Sequence, residues 1–259
     1  MRKNHIINFF KERENVKIID VSKHNGDIDW AKVKAEGIDG VVIRAGYGKH
    51  VKQKDPCFEA NYSEAKAVGL NVGAYWYSYA VTVAEAKLEA ITFLEVLKGK
   101  KFELPVYFDI EEERQVKLGK ALCTAITSAF CSEVEKAGYY TGIYSFDSFF
   151  ATNLDKAVTS RYTCWIARIG GTPSHKHDMW QYSWKERING IIGDVDANHC
   201  YKDFPRIIRN AGLSGYGYIT TYNINAVING IDKDNADKIA AECSKMGMTV
   251  VVKEVKNER

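Results

Sequence analysis

The chain has 259 residues, of which 46% are hydrophobic and 27% charged, and only four are proline. This length allows one large core, or one core with a small appendage, and the composition excludes disordered and collagenous chains. The formal net charge of +3 comes from nearly balanced acids and bases. It therefore does not indicate a nucleic-acid partner, which usually requires clustered basic residues.

The amino terminus lacks the pattern of a secretion signal. Residues 6–10 are mostly apolar, but Asn8 interrupts them and the charged residues 11–14 follow at once. A signal peptide needs an apolar run of about 7–15 residues and a small-residue cleavage site. No run reaches the roughly 18 apolar residues of a membrane-spanning helix. We therefore expect no signal peptide and no membrane span, and we assign residues 1–15 to an N-terminal extension.

Eight short segments rich in β-branched and aromatic residues predict strands from residue 16 onward. They are Val16–Val21, Gly40–Ala45, Asn71–Tyr77, Leu104–Ile110, Tyr140–Ser145, Thr163–Ala167, Asp178–Tyr182 and Ile191–Val195. Helical spacing follows the early strands, at Trp30–Glu36, Pro56–Val68, Val83–Leu97 and Leu118–Ala137. Alternating strands and helices predict a parallel sheet, and eight strands predict a barrel. The predicted fold is therefore α/β, an irregular TIM-like β/α barrel of eight strands and about five helices over residues 16–212.

The end of the chain has a different pattern. Residues 211–217 are rich in glycine and read as a linker. Beyond it, Tyr218–Ile224, Asp232–Met246 and Thr249–Val255 predict a strand, a helix and a strand. A piece this small is marginal by itself. We therefore predict that residues 213–259 form a small α/β domain that packs on the barrel or forms a homodimer with another copy.

The cysteines do not predict a metal site. All six lie far apart without CxxC spacing, and several stand in apolar runs. They are Cys57, Cys123, Cys131, Cys164, Cys200 and Cys243. We interpret them mainly as reduced core residues rather than zinc ligands.

Acidic residues recur where the predicted strands end. Asp20 lies in the first strand, Asp109 and Glu111 end the fourth, and Asp196 follows the eighth. In a parallel barrel the carboxyl ends of the strands meet at one mouth, where working residues lie. Residues two apart on a strand point to the same face, so Asp109 and Glu111 should point together. Clustered carboxylates repel one another, so at least one should stay protonated near neutral pH, as a general acid must.

Aromatic residues accompany these acids. Tyr47, Tyr75, Tyr77, Tyr144 and Trp180 lie on or just after predicted strands. Aromatic rings offer flat apolar faces with polar edges, which suit sugar rings. We therefore assign these five side chains to substrate binding, whereas we expect Trp165, in a short apolar run, to be a core residue.

Taken together, the motifs resemble the family 25 glycoside hydrolases, the Chalaropsis-type lysozymes that include phage endolysins. The resemblance runs in order over about residues 16–207. The matching segments are residues 19–30 (IDVSKHNGDIDW), 73–79 (GAYWYSY), 105–111 (PVYFDIE), 165–167 (WIA), 180–182 (WQY) and 195–198 (VDAN). Some positions depart from the family pattern, such as Trp76 where histidine is common and Asn25 where glutamine is common. These departures alter the groove wall more than the acids.

The resemblance implies a peptidoglycan hydrolase, a muramidase that cleaves the β-1,4 bond between N-acetylmuramic acid and N-acetylglucosamine. Glu111 falls on the family's proton donor, and Asp20, Asp109 and Asp196 fall on its supporting acids. Retention with help from the substrate's 2-acetamido group is also implied, with Asp109 or Asp196 steadying the intermediate. No cofactor is expected, and the partners are glycan strands of the bacterial cell wall. Such a protein would reach the wall like a phage lysin or by a non-classical route, and residues 213–259 would bind the wall or dimerise.

Two other function classes compete with this one. Acids at several strand ends could bind Mg²⁺ or Ca²⁺ in a metal-dependent hydrolase. Alternatively, the chain is a non-catalytic wall-binding protein that has kept the barrel. Resistance of the activity to a chelator would exclude the first alternative, and the intact pair Asp109 and Glu111 argues against the second.

Overall fold

A computed structural model of the chain describes residues 16–217 and 232–245. Eight strands form a closed barrel in which the order around the barrel is the order along the chain. They are Val16–Val21 (β1), Gly40–Tyr47 (β2), Asn71–Tyr77 (β3), Val106–Asp109 (β4), Thr141–Phe146 (β5), Thr163–Ala167 (β6), Met179–Glu186 (β7) and Val195–Cys200 (β8). The predicted β/α barrel is therefore confirmed.

The four predicted helices are present, with ends that differ by one or two residues, and short helices join them. The described part of the barrel contains eight α-helices rather than about five, the additional ones span four to seven residues, and a ninth helix lies in the C-terminal segment. They are Trp30–Ala35 (α1), Phe58–Ala67 (α2), Val83–Leu97 (α3), Glu113–Val116 (α4), Lys120–Lys136 (α5), Asp147–Asn153 (α6), Lys156–Arg161 (α7), Phe204–Asn210 (α8) and Lys233–Lys245 (α9). Single-turn helices carry little periodic signal, so sequence patterns do not reveal them.

The last strand differs from its prediction. Ile191–Val195 is not a strand, since β8 begins at Val195 and runs antiparallel to both β7 and β1. A parallel crossover needs about a dozen residues or more, whereas residues 187–194 join β7 directly to β8. Gly190 and Gly193 in this loop have positive φ values of 99° and 93°. The short connection therefore forces a hairpin.

Side chains alternate between two cores on the inside and outside of the barrel. One core fills the barrel and includes Tyr107, Tyr144 and Trp165. The other lies between the barrel and its helices, where Phe108 stacks on Phe130 of α5 with ring centroids 4.2 Å apart. Trp165 is 1% exposed and lies 4.4 Å from Tyr144 by ring centroid. Its assignment to the core is confirmed, and this ring forms an apolar floor beneath the barrel mouth.

The chain divides into two compact units, residues 14–219 and residues 1–13 with 220–259. In the second unit the structure describes residues 232–245, where α9 confirms the predicted helix. The predicted strands Tyr218–Ile224 and Thr249–Val255 and the extension at residues 1–15 lie outside the described residues. The wall-binding or dimerising role of residues 213–259 stays a prediction.

The sequence predicted mainly reduced cysteines and no membrane-spanning helix. All six cysteines are free, and four of them, Cys123, Cys131, Cys164 and Cys200, are buried. Over the described parts of the chain, none of the helices combines the length and apolarity required to cross a bilayer.

Candidate active site

The four predicted acids lie at one end of the barrel. Asp109 is the last residue of β4, and Glu111 follows two residues later with Ile110 turned into the outer core. Asp20 lies near the end of β1, directly opposite Asp196 in the β1–β8 ladder. Because β8 is antiparallel, its beginning lies where the other strands end. Asp196 therefore lies at the mouth near the start of β8. The sequence pattern had instead placed it after the end of the eighth strand.

Two buried side-chain amides, those of Asn198 and Gln181, donate hydrogen bonds to Asp20. The Nδ2 atom of Asn198 donates to Asp20 Oδ2 at 2.8 Å, and Gln181 Nε2 donates to the same oxygen at 3.0 Å. The Trp165 indole N–H donates to Asn198 Oδ1 at 2.7 Å, and the Tyr144 hydroxyl donates to Gln181 Oε1 at 2.8 Å. An indole can only donate, so it fixes the orientation of the Asn198 amide. Both amides therefore point N–H groups at Asp20.

Asp20 and Asp196 lie opposite each other, and the protonation of one carboxyl affects that of the other. Burial raises the pKa of Asp20 well above its usual range, the charge of Asp196 raises it further, and the two amide donors oppose the shift. Burial also raises the pKa of Asp196 to about 6. Two adjoining carboxyls in a site of low polarity do not readily ionise together. The pair therefore holds one proton near neutral pH.

Asp109 and Glu111 have a different environment, in which hydrogen-bond donors are missing. Asp109 Oδ1 and Glu111 Oε2 are buried and have no hydrogen-bond partner among the described residues. Burial raises the pKa of Asp109 well above its usual range, and the neighbouring charges of Glu111 and Asp20 add to it. Burial, with the charges of Glu112 and Asp196, raises the pKa of Glu111 to about 7. Glu111 can therefore carry a proton at neutral pH, which a general acid requires.

The sequence pattern did not indicate one cationic side chain that lies beside these acids. Arg44, near the end of β2, pairs through Nε with Asp55 Oδ2 at 2.7 Å, and its positive charge lowers the pKa of Asp109. Asp55 is fully buried and also accepts the backbone N–H of Lys23 at 3.1 Å and of Cys57 at 2.9 Å. The available signal was an arginine inside an otherwise apolar strand, since such a residue needs a buried partner.

Four of the five predicted aromatic residues lie at the mouth. Tyr144 is buried among the acids, and burial together with the charges of all four raises the pKa of its hydroxyl well above the usual range. The ring of Tyr75 packs edge-on against Trp165 at 6.1 Å. Tyr77 donates its hydroxyl to Glu112 at 2.7 Å. Tyr79 lies edge-on to Tyr47 at 5.9 Å and to Tyr77 at 5.3 Å, so these three rings form a wall beside Glu111.

The fifth aromatic residue, Trp180, lies elsewhere. Gln181 points into the barrel, so Trp180 points outward, in register with the outer-core residue Ile166. Its ring packs against Tyr182 and His199, and its N–H donates to Arg168 O at 2.9 Å. The structure therefore does not bring Trp180 to the acids, and the substrate-binding role predicted for it has no support from its position.

A tryptophan that the sequence analysis did not select does lie at the mouth. Trp184 is 46% exposed, and its indole N–H donates to Gln181 Oε1 at 3.0 Å. Gln181 in turn contacts Asp20, and its Nε2 lies 3.5 Å from Asp196 Oδ2. A register shift in the β7–β8 ladder near residue 183 interrupts simple alternation. Because of this irregularity, strand alternation did not indicate that Trp184 lies at the mouth.

Comparison with known proteins agrees with this geometry. Residues 19–191, more than half of the chain, match the model of Glycosyl hydrolases family 25. The chain belongs to glycosyl hydrolase family 25. The expected glycoside hydrolase of the lysozyme-like family is thereby confirmed, whereas the roles of individual residues in this family 25 hydrolase stay predictions.

Relatives and solved structures extend the match. This family 25 hydrolase is 31% identical over 188 residues to the uncharacterized protein YegX of Escherichia coli O157:H7, covering 70% of this chain and 67% of that protein. It is 27% identical to the autolytic lysozyme of Clostridium acetobutylicum over 188 residues, or 71% of this chain and 55% of that one. The CTP1L endolysin structure superposes with a TM-score of 0.67 at 26% identity, covering 88% of this chain and 79% of that chain. The autolysin LytC of Streptococcus pneumoniae with a synthetic peptidoglycan ligand gives a TM-score of 0.65 at 28% identity, covering 72% and 47%.

Proposed function

We propose that this family 25 hydrolase is a muramidase that cleaves the β-1,4 bond between N-acetylmuramic acid and N-acetylglucosamine in peptidoglycan. The observation that carries the proposal is the pair of a buried Asp109 and a half-buried Glu111 at the barrel mouth, each with one buried carboxyl oxygen that has no hydrogen-bond partner among the described residues. Relatives named lysozyme and endolysin, and the peptidoglycan ligand of LytC, support the choice of substrate.

In the first step Glu111 donates its proton to the glycosidic oxygen while the bond from that oxygen to the sugar's anomeric carbon breaks. The pKa of about 7 keeps a large share of Glu111 protonated near neutral pH. The carbonyl oxygen of the substrate's own 2-acetamido group bonds to the anomeric carbon as the leaving group departs. This gives an oxazolinium-like intermediate, and Glu111 is left as a carboxylate.

Asp109 is the aspartate that we assign to this intermediate. Its Oδ1 is buried without a donor, and an acetamido N–H is a donor that would satisfy it. Asp196, by contrast, shares a proton with Asp20 and lies near Gln181 Nε2. The positive charge of Arg44 lowers the pKa of Asp109, whereas a negative charge on Glu111 raises it. Asp109 therefore ionises most readily while Glu111 still holds its proton, before that proton passes to the leaving oxygen.

In the second step the Glu111 carboxylate takes a proton from water, and the water oxygen bonds to the anomeric carbon. The bond to the acetamido oxygen breaks, so the anomeric configuration of the substrate is retained. The wall formed by Tyr47, Tyr77 and Tyr79 offers aromatic faces for a sugar next to the cleaved bond, and Trp184 offers another on the β7 side.

A metal-dependent hydrolase remains the competing enzyme class. Among the described residues, no three acidic, histidine or cysteine side chains are grouped so that they could hold a metal ion. The Asp20 and Asp196 carboxyls contact each other and amide donors. This leaves Asp109 Oδ1 and Glu111 Oε2 as buried carboxyl oxygens without a partner among the described residues, fewer than the roughly six oxygen ligands that Mg²⁺ or Ca²⁺ takes.

The test is incubation of the full chain with purified peptidoglycan, followed by mass spectrometry of the new reducing ends. We expect N-acetylmuramic acid ends from the wild type and from the control Glu113→Gln, whose side chain is exposed two residues away. Glu111→Gln should release at least about 100-fold fewer ends. NMR of the first product should show the β-anomer.

Several outcomes would contradict the proposal. Ends made equally well by Glu111→Gln would remove Glu111 from the mechanism, and an initial α-anomer would exclude retention. Loss of activity with a chelator would favour the metal-dependent class. Absence of any new ends from the wild type, with tight binding to peptidoglycan, would favour the non-catalytic wall-binding protein.

A further inference from the structure

A second pocket lies on the flank of the barrel, away from the mouth. It has a volume of about 470 Å³ and lies between α6, α7 and the segments where β6 and β7 begin. Thr163 and Cys164 at the start of β6 and Asp178 just before β7 line its base. The catalytic acids lie at the other ends of these parallel strands, so the glycan that is being cut does not fill this pocket.

The lining of this flank pocket is strongly basic. It contains six basic side chains and a single carboxylate, that of Asp178. The basic residues are Lys120, Lys156, Arg161, His175, Lys176 and Lys202. Without His175 the lining still has five lysine and arginine side chains for one carboxylate, whereas the whole chain has 36 Lys and Arg residues for 33 Asp and Glu residues. The flank pocket is therefore a local concentration of positive charge that the overall composition does not reveal.

The one carboxylate is already compensated. Asp178 is buried, and Lys202 pairs with its Oδ1 at 2.9 Å. Its other oxygen accepts the Thr163 hydroxyl at 2.7 Å and the Cys164 backbone N–H at 3.2 Å. These contacts lower the pKa of Asp178 against the effect of burial, so it stays ionised and paired. Asp178 therefore does not neutralise the other basic side chains of the pocket.

The basic residues differ in how far they are paired. Arg161 pairs with Glu135, and His175 lies 3.0 Å from Asp147. Lys120 contacts only a carbonyl oxygen, that of Ala151 at 3.4 Å. No ion pair joins the exposed Lys156 or Lys176 to any acid among the described residues. Both ammonium groups are therefore available to an anionic ligand.

We propose that the flank pocket binds phosphodiester groups of an anionic polymer attached to the cell wall. A diester phosphate keeps its charge over the whole working pH range, and lysine binds phosphate as a point charge. A space of about 470 Å³ accommodates a phosphodiester with one flanking sugar or alditol residue. The pocket holds the enzyme on the wall while the mouth acts on the glycan. The choice of a wall polymer rests on the proposed muramidase function, whereas the preference for phosphate rests on the pocket alone.

The test compares binding to cell walls that retain their phosphate polymers with binding to walls stripped of them by hydrofluoric acid. The full chain carries Glu111→Gln so that the walls stay intact, and bound protein is measured by sedimentation at several salt concentrations. We expect about tenfold tighter binding to intact walls at low salt, a difference that falls as salt rises. The double variant Lys156→Glu, Lys176→Glu should bind both preparations equally weakly.

Two controls separate the pocket from net charge and from catalysis. Lys87→Glu with Lys98→Glu changes the net charge equally at exposed positions of α3 and its end, and it should keep the preference for intact walls. Thermal melting establishes that both double variants fold. With Glu111 restored, the pocket variant should release reducing ends from stripped walls at the wild-type rate. That last readout tests the muramidase function independently of the pocket.

Three outcomes would overturn the inference. Equal binding of the parent protein to intact and stripped walls would exclude phosphate as the ligand and leave the carboxylates of peptidoglycan. Loss of the preference in the α3 control would show that net charge and not the pocket is responsible. Competition by DNA as effective as that by the released wall polymer, at equal phosphate content, would show a general polyanion site.

Discussion

Asp109 and Asp147 have similar positions but opposite electrostatics. Asp109 is the last residue of β4 and Asp147 comes directly after the last residue of β5, and the two residues are 3% and 4% exposed. Burial raises the pKa of Asp109 well above its usual range. The pKa of Asp147 is lowered despite burial, because it accepts hydrogen bonds from His175, Ser174 and Arg168.

The two pKa values shift in opposite directions because the carboxyls differ in their hydrogen-bond donors, and not because they differ in burial. Asp147 accepts the backbone N–H and hydroxyl of Ser174 and the guanidinium of Arg168 at 2.8 Å, so it fastens the loop after β6 to the start of α6. Asp109 has an oxygen with no donor. A buried carboxylate with all its donors is structural, whereas one that lacks a donor is prepared for a ligand or a reaction.

The largest expected effect is on activity at Asp109. Asp109→Asn should lower kcat by about 100-fold or more, because the neutral amide cannot stabilise the positive intermediate. Its melting temperature should stay within a few degrees of the wild type or rise, since Asp109 Oδ1 has no hydrogen-bond donor to lose. Steady-state kinetics on peptidoglycan with thermal melting would measure both quantities. Unchanged kcat would exclude Asp109 from the mechanism, and Asp147→Asn, with kcat within about threefold of the wild type, is the matched control.

The second prediction concerns Asp147, where we expect the substitution to affect stability and not activity. Asp147→Asn should lower the free energy of unfolding by about 2–4 kcal/mol, because several donors lose a charged acceptor in a buried site. Hydrogen exchange of residues 168–178 should become faster, since Asp147 fastens this loop. Chemical denaturation with exchange measured by mass spectrometry tests both. A variant as stable as the wild type would show that the contacts of Asp147 are energetically neutral.

A smaller effect separates the two tryptophans of β7. Trp184→Ala should lower kcat/KM by about tenfold, because it removes an exposed ring tied through Gln181 to Asp20 and Asp196. Trp180→Ala, which changes the outer face, should leave kcat/KM within about twofold. Kinetics on soluble peptidoglycan fragments would compare them. The reverse order of effects would restore the role first predicted for Trp180 and remove the one assigned to Trp184.

The smallest expected effects are shifts with pH. Activity should fall as pH rises through about 7, because Glu111 then loses the proton it must donate. Glu112→Gln should move this alkaline limb to lower pH, since the Glu112 charge is one cause of the raised pKa. An unmoved limb would show that burial alone sets the pKa of Glu111. Glu113→Gln, which removes an exposed charge, serves as the control.

The same groups predict opposite trends of stability with pH. The folded state raises the pKa of Glu111 from its ordinary 4.5 to about 7, so its contribution to stability is present below pH 4.5 and lost as pH rises through 7. Asp147 has a lowered pKa, so its contribution is present above 3.8 and lost as pH falls through the folded value. Melting curves of Glu111→Gln and Asp147→Asn across pH should each lose the corresponding trend. Curves parallel to the wild type would contradict these assignments.

The sequence by itself determined the barrel and three of its four acids. Strand periodicity is a local property, and the carboxyl ends of parallel strands meet at one mouth in any such barrel. Asp20, Asp109 and Glu111 could therefore be placed together without knowledge of packing. The motifs also carried the family resemblance, because the D-x-E strand and the opening IDVSKHNGDIDW segment are contiguous in the chain.

Only the tertiary structure decided the direction of β8, the partners of Asp20 and the positions of the tryptophans. Alternation assigns residues to two faces but does not say which face is inside, and a register shift near residue 183 moves Trp184 to the mouth. The donors of Asp20 and Asp147 come from residues up to 178 positions away in the chain. These distant donors determine whether a buried acid is reactive or structural, and only the folded chain brings them next to the acid.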